Sequence, residues 1–386
     1  MTVLLSSLKE WDSLKRINLL LKPASSLCNM RCRYCFYSDI STLREVASYG
    51  IMIEETVDKI LDNIFIDIDD GDELNFGFQG GEPTLAGLPW FHYFIKSVNQ
   101  RKKGAAVNYA FQTNGLLLDD SWCEFFRDNK FLIGLSIDAG KRFHDRNRLS
   151  SLGEGTYGDC IKTKELFDKN QVEYNILCVL TNEIAKEAER IWRFILNENI
   201  SYIQFIPCLE PPPPAGSVDN RDGNILKPGF FAKFYTRLFP LWLKELENNN
   251  YISIKFYDDV VNYFLKGIPS SCGINGQCHN QYVIEADGSV FPCDFYCFDD
   301  HKAGNLRDNT LRDLFYSLKV QSFLSEKIEM PKLCQSCRFL KACRGGCKRM
   351  RNVMYAGKSD VFCGLRTFLE KCMGPLEKSV QKLFSG

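Results

Sequence analysis

The chain has 386 residues, 45% of them apolar and 25% charged, which suits two folded domains or three small ones and excludes bulk disorder. Its 48 Lys and Arg balance its 48 Asp and Glu, so the basic excess of a general nucleic-acid binder is absent. No apolar run approaches the roughly 20 residues that a membrane span needs. The N-terminal segment has two short apolar patches cut by Lys9, Glu10 and Lys15 and lacks a secretory apolar region, so a cytoplasmic location is expected. Short β-like runs then alternate with helical patterns. The runs are Ile17–Leu21, Leu74–Phe78, Ala106–Thr113, Phe131–Asp138, Val172–Thr181 and Tyr202–Ile206. Between them lie amphipathic stretches such as Glu54–Ile66, Trp90–Gln100 and Tyr157–Lys169. This alternation predicts an α/β fold with a parallel sheet, either open or a partial barrel, and ligands at the carboxyl ends of the strands. Four prolines from Pro211 to Pro214 then break the pattern, as a linker or long loop. Pro228–Asn248 reads as a long helix with an aromatic face. Beyond it the chain is loop-like, with small strands Gln281–Glu285 and Ser289–Pro292 joined by the turn Ala286-Asp287-Gly288.

Seventeen cysteines are the unusual feature. A reducing cytoplasm disfavours disulfides, and a chain this long needs no stapling. Soft-metal ligation is the remaining common reason to keep so many thiols. The four histidines (His92, His144, His279 and His301) are scattered, so the expected metal sites are mainly sulfur.

Cys28, Cys32 and Cys35 follow the first strand closely. Three thiolates can hold three irons of a 4Fe–4S cluster and leave the fourth open to substrate, whereas zinc would be one ligand short. The C-x3-C-x2-C spacing, with Tyr34 before the last Cys, resembles the radical S-adenosylmethionine (SAM) superfamily. Gln79-Gly80-Gly81-Glu82-Pro83 closes the second strand. Alone it is an ordinary turn. One βα unit after the cysteine motif, it resembles the superfamily's SAM amino-group site, where glycines allow close backbone approach and Glu82 or a nearby carbonyl accepts from the ammonium. By the same resemblance Tyr34 belongs to the cofactor-binding set, and Ser136 and an Arg of His144–Arg148 take the ribose and carboxylate. Arg148 is the primary candidate and Arg146 its rival, since an Arg fork suits a carboxylate. Thr113-Asn114-Gly115 ends the third strand and is expected near the same cavity.

A second cluster of thiols comprises Cys272, Cys278, Cys293, Cys334, Cys337, Cys343, Cys347 and Cys363. Eight are enough for two fully ligated 4Fe–4S clusters; two four-cysteine zinc sites are the competing reading. The segment resembles the SPASM auxiliary-cluster domain. That resemblance, and not the spacing, implies an interleaved partition: Cys272, Cys278, Cys293 and Cys347 on one cluster, Cys334, Cys337, Cys343 and Cys363 on the other. Cys297 and Cys372 read as small buried hydrophobes.

Leu21-Lys-Pro-Ala-Ser-Ser, Cys35-Phe-Tyr37, Ser48-Tyr-Gly-Ile-Met, the Phe78–Gly87 run, Gln112-Thr-Asn-Gly, Gln204-Phe-Ile and Pro292-Cys-Asp-Phe-Tyr296 together resemble the anaerobic sulfatase-maturating enzymes. The likeness runs from about Leu19 to Cys363. With 27 residues before Cys28, a separate leader-peptide-binding domain is not expected. Ala139-Gly140 stands where relatives often have Gly-Pro. The resemblance implies a partial (β/α)6 barrel over residues 1–210, a linker and helical connection over 211–270, a small loop-rich SPASM domain over 271–368 and a C-terminal helix over 369–386. It implies three 4Fe–4S clusters and SAM as cofactors. The substrate would be an unfolded sulfatase polypeptide, whose Cys or Ser in a Cys/Ser-x-Pro-x-Arg motif becomes Cα-formylglycine. An external electron donor such as a flavodoxin or ferredoxin would serve it, with neither nucleic acid nor membrane as partner. Asp294 is the implied base, with Tyr37 and Gln79 beside it. The rival readings are a SPASM enzyme that makes a thioether crosslink on a ribosomal peptide, and a non-catalytic metal-binding module.

Overall fold

The computed structural model describes residues 15–212, 223–267, 269–327, 329–356 and 361–384. Of the proline-rich break only Pro211 and Pro212 fall among them; Pro213 and Pro214 and the N-terminal patch before Lys9 lie outside the described residues.

Six parallel strands form the centre: β1 (Arg16–Leu21), β2 (Glu73–Phe78), β3 (Ala106–Thr113), β4 (Phe131–Ser136), β5 (Tyr174–Leu180) and β6 (Tyr202–Pro207). The sheet is longer than the sequence pattern suggests. A two-residue strand, β7 (Ser253–Ile254), continues it beyond β6. On the other side β8 (Val283–Ile284) pairs in parallel with β1, followed by antiparallel β9 (Ser289–Phe291) and β10 (Gly304–Asn305). The auxiliary region therefore hydrogen-bonds directly to the edge of the barrel, through pairs Leu20–Val283 and Leu21–Ile284.

Alternation along β2 separates a buried apolar face from the other. Leu74, Phe76 and Phe78 of β2 are buried against helices, while Asn75 faces the other way. Register aligns Asn18, Asn75 and Asn108, whose amides form a ladder with 3.1 and 2.9 Å bonds. The covering helices are α1 (Phe36–Thr42), α2 (Glu54–Ile66), α3 (Leu88–Arg101), α4 (Asp120–Asp128), α5 (Lys141–Asn147), α6 (Tyr157–Asn170) and α7 (Ala188–Asn197). An aromatic core joins sheet to helices. Phe111 packs on Phe91, Phe126 and Trp122 with ring centres 5.1, 5.2 and 5.9 Å away.

Element ends differ from the sequence expectation for local reasons. β5 begins at Tyr174 rather than Val172, because Gln171 adopts a left-handed cap and Val172 N–H returns to Phe167 O. β4 stops at Ser136 because Asp138 N–H turns to His144 Nδ1. After the break come α8 (Pro228–Glu247), α9 (Lys255–Lys266) and a closing helix α10. That last helix spans Gly364–Phe384, so it starts directly after Cys363 and not at residue 369. Its first residue must be small: a Cβ on Gly364 would lie 2.5 Å from Met354 O and 2.6 Å from Pro228 O.

Candidate active site

The loop after β1 carries the first three thiols. Cys35 caps α1, its Sγ accepting from Ser38 N–H at 3.4 Å. Cys28 Sγ accepts from Met30 N–H at 3.4 Å. Burial, against the lowering effect of the Met30 N–H, pushes Cys28 up to about 11. Burial, opposed by the Arg148 charge, pushes Cys32 up to about 12. Cys32 also feels the charge of Cys35 and Cys28, and Cys28 that of Cys35, so the three lie close together, as a cluster with three protein ligands requires.

The glycine motif is what holds this loop. A Cβ on Gly81 would sit 1.9 Å from Leu27 O, and one on Gly80, at φ +140°, 2.8 Å from Ser25 O. Gly81 and Glu82 N–H donate to Ser25 O and Leu27 O at 2.8 and 2.7 Å. The two loops thus lie backbone to backbone, which only glycine permits. Glu82 is 1% exposed and its carboxylate accepts from Thr84 N–H, Thr84 Oγ1, Thr113 Oγ1 and Asn114 N–H. All these partners are the protein's own, so the geometry ties Glu82 to the scaffold. Asn114 Nδ2 donates to Asn29 Oδ1 at 2.7 Å and lies 4.0 Å from Cys28 Sγ, which brings the third strand's end to the cluster loop as expected.

Ser136 is buried at the end of β4. Beyond it Asp138 is fully buried. It accepts from Tyr34 OH at 2.5 Å and Val179 N–H at 3.0 Å, and Arg148 Nε lies 3.5 Å away. The two arginine candidates separate. Arg146, on the outer side of α5, pairs with Glu183 at 2.6 Å near the surface. Arg148 leaves the helix in an extended conformation and is 8% exposed, its guanidinium 5.5 Å from the Tyr34 ring centre and its Nε without a hydrogen bond. His144 supports this corner, which the scattered histidines did not suggest. Burial and the Arg148 charge push it down to about 3, so its neutral ring accepts from Asp138 N–H through Nδ1 and pairs with Thr156 through Nε2.

Asp294 opens a short 3-10 turn that Cys293 caps. It is 8% exposed, with Oδ1 2.6 Å from Lys22 Nζ and Oδ2 2.8 Å from Gln79 Nε2. The Tyr37 hydroxyl donates to Glu285, and Lys22, bonded to Asp294, sets its Nζ 3.7 Å from the Tyr37 ring centre, so it lies against both residues. Glu285 also accepts from Arg44 at 2.5 Å and Ser25 at 2.9 Å. Lys22 and Ser25 lay within a quoted motif without an assigned role; Arg44 and Glu285 carried no signal, because their partners are 241 residues apart.

The remaining eight thiols fall into two groups. Burial first, then the charge of Cys347, raises Cys272 to about 11; Cys278 and Cys293 are likewise raised by burial and also feel Cys347. Cys334, Cys337, Cys343 and Cys363 line one cavity of about 330 Å³. These groupings have the members of the expected interleaved partition, and four thiols around a cavity suit a fully ligated cluster. Close glycine contacts shape both: a Cβ on Gly276 would fall 2.1 Å from Cys343 O, and one on Gly346 2.2 Å from the Tyr355 ring. Buried Tyr355 lies between the groups and donates to Gly273 O at 2.5 Å. Cys297 and Cys372 are buried outside both sets.

Residues 23–195 match the Radical SAM superfamily, and residues 272–338 match an iron–sulfur cluster-binding domain, SPASM. The chain is 41% identical over 339 residues to the cysteine-type anaerobic sulfatase-maturating enzyme of Clostridium perfringens, covering 87% of this chain and 90% of that one. It is 28% identical to the serine-type enzyme of Bacteroides thetaiotaomicron, covering 87% and 84%. The solved structure of native anSMEcpe with bound AdoMet and Kp18Cys peptide superposes with a TM-score of 0.85 at 36% identity, covering 95% of this chain and 99% of that one. Streptococcus suis SuiB bound to precursor peptide SuiA shares the fold, with a TM-score of 0.61 at 18% identity over 89% of this chain and 74% of that one. Among the described residues no helix is long and apolar enough to cross a membrane.

Proposed function

Because this chain belongs to the anaerobic sulfatase-maturating enzymes, radical SAM oxidoreductases with auxiliary iron–sulfur clusters, we propose that it oxidises a cysteine in a Cys-x-Pro-x-Arg motif of a sulfatase polypeptide to Cα-formylglycine, with Asp294 as base. One observation carries the assignment of the base. Asp294 is a buried carboxylate fixed to the auxiliary ligand Cys293 and hydrogen-bonded to Gln79 in the glycine turn, so it bridges the two halves of the site. Cysteine preference is supported by the gap between 41% identity to a cysteine-type relative and 28% to a serine-type one.

Cys28, Cys32 and Cys35 would hold a 4Fe–4S cluster that with SAM would supply the radical for taking a substrate Cβ hydrogen, and the auxiliary clusters would supply an acceptor for the electron released. The chain's own residues do the rest. Arg148 would offer its guanidinium to the SAM carboxylate, while Arg146 stays with Glu183. Ser136 and Tyr34 would hold the ribose. A carbonyl of the Gln79–Gly81 turn would accept from the SAM ammonium, with Glu82 holding the turn in place through Thr84, Thr113 and Asn114. Asp294 takes the substrate side-chain proton. Gln79 orients it, and Tyr37 contributes through Lys22 and Glu285.

The same reading divides the chain into a barrel over 1–210, a connection over 211–270, an auxiliary domain over 271–368 and a C-terminal element beyond. It places the protein in the cytoplasm, reduced by a flavodoxin or ferredoxin, with neither nucleic acid nor membrane as partner. The test is to incubate reduced, iron-loaded protein with SAM and a Cys-x-Pro-x-Arg peptide and read the product by mass. An aldehyde is expected. A thioether, or unmodified peptide despite SAM cleavage, contradicts the assignment.

A further inference from the structure

Asp294 carries two oxygens that must face in defined directions, yet the terminal torsion of an Asp side chain is broad and sets neither. Donors from outside must hold it. Gln79 binds one oxygen and Lys22 the other, at 2.8 and 2.6 Å. Lys22 is fully buried, one residue beyond β1. Its N–H donates to Ile284 O at 2.8 Å, across the junction between barrel and auxiliary region. Its Cβ and Cγ lie 3.3 Å from where Gly80 would carry a Cβ. Its Nζ rests 3.7 Å from the Tyr37 ring centre, a cation–π contact. One side chain therefore packs its stem beside the glycine turn and sets its ammonium against the residue two beyond Cys35 and the residue after Cys293. Behind it, Glu285 binds Arg44, Tyr37 and Ser25, so the Tyr37 ring is fixed by a second buried pair.

An ammonium buried this completely is costly unless paired, and a purely structural role could be filled by apolar packing. We propose that Lys22 is a positioning residue for the oxidation: seated on the Tyr37 ring, it fixes the orientation of the Asp294 carboxylate toward the substrate side chain. This rests on the assignment of Asp294 as base, and the experiment separates the two.

The readout is formylglycine formed per 5′-deoxyadenosine formed, with a Cys-x-Pro-x-Arg peptide deuterated at Cβ. Iron content and peptide affinity, by fluorescence anisotropy, are measured alongside. Lys22→Met removes the charge at similar volume and is expected to lower the ratio about tenfold. Lys22→Arg keeps the charge, and so the fold, but places a planar fork where a compact ammonium sat; about a threefold fall is expected. In both, deuterium still appears in 5′-deoxyadenosine, because proton removal follows hydrogen abstraction. If product, SAM cleavage and deuterium transfer fall together at a constant ratio, Lys22 is structural and the inference is wrong. An unaltered ratio in Lys22→Arg overturns it even where Lys22→Met fails to take up iron. Asp294→Asn is run in parallel. If it lowers the ratio and the Lys22 variants do not, only this inference fails; if it leaves the ratio unaltered, the base assignment fails.

Discussion

The barrel and the cysteine-rich region reach stability by different means. The barrel buries a continuous aromatic core, with Phe76, Phe78, Phe91, Phe94, Phe111, Phe126 and Phe131 fully or almost fully covered. The region from Cys272 to Cys363 contains single helical turns of four residues: Cys272–Asn275, Lys332–Gln335, Leu340–Cys343 and Arg351–Met354. Helices that short do not persist alone; they pack residues such as Ile274, Phe339 and Val353 into the barrel's core, and metal on the eight thiols would add the rest of the order. The active site lies on the seam. Lys22 and Gln79 come from the first half, Asp294 and Glu285 from the second. The hydrophobic scaffold positions the Cys28–Cys35 loop, and the cysteine-rich one brings Asp294, the proposed base, to it.

That contrast can be broken from either side. Replacing Cys28, Cys32 and Cys35 together by Ala should leave the barrel folded, remove about four irons and abolish 5′-deoxyadenosine formation. Continued SAM cleavage would contradict the assignment. Replacing any one of the eight later ligands should give iron-deficient, poorly soluble protein, because folding and metal binding are coupled there. Eight well-folded, fully loaded single variants would show that the region does not depend on its clusters. Phe111→Ala attacks the other scaffold. It should cost about 3–5 kcal/mol, read as a lowered unfolding midpoint, while iron content stays intact. The smallest effects distinguish two neighbours. Arg148→Lys should weaken SAM binding about tenfold, whereas Arg146→Lys, at a surface pair, should change it less than about twofold. Equal effects would mean that Arg148 is not the inward-facing group.

The two regions were also unequally legible. Short apolar runs marked all six central strands, since burial in a sheet leaves that signature in sequence. β7 and β10 are two residues each and leave none, whereas β8 and β9 fall inside the two short runs expected around the Ala286–Gly288 turn. The cysteine positions announced metal, but spacing could not tell that Cys347 joins Cys272 and not Cys334; a resemblance supplied that. Arg146 and Arg148 look alike in sequence, and only the change of backbone direction at the end of α5 separates them. Tyr37 was expected beside Asp294, yet its hydroxyl goes to Glu285, 248 residues away. Contacts of that kind depend on how the seam closes, which local pattern does not encode.

The seam's central claim is that Asp294 removes the substrate proton. Asp294→Asn keeps the shape and removes the basic oxygen. Incubated with reductant, SAM and matched Cys and Ser peptides, it should still form 5′-deoxyadenosine but little formylglycine, with the Ser peptide affected at least as much as the Cys peptide, because a hydroxyl is harder to deprotonate. Conversion of the Ser peptide at the unmodified rate would contradict the account and turn attention to Tyr37.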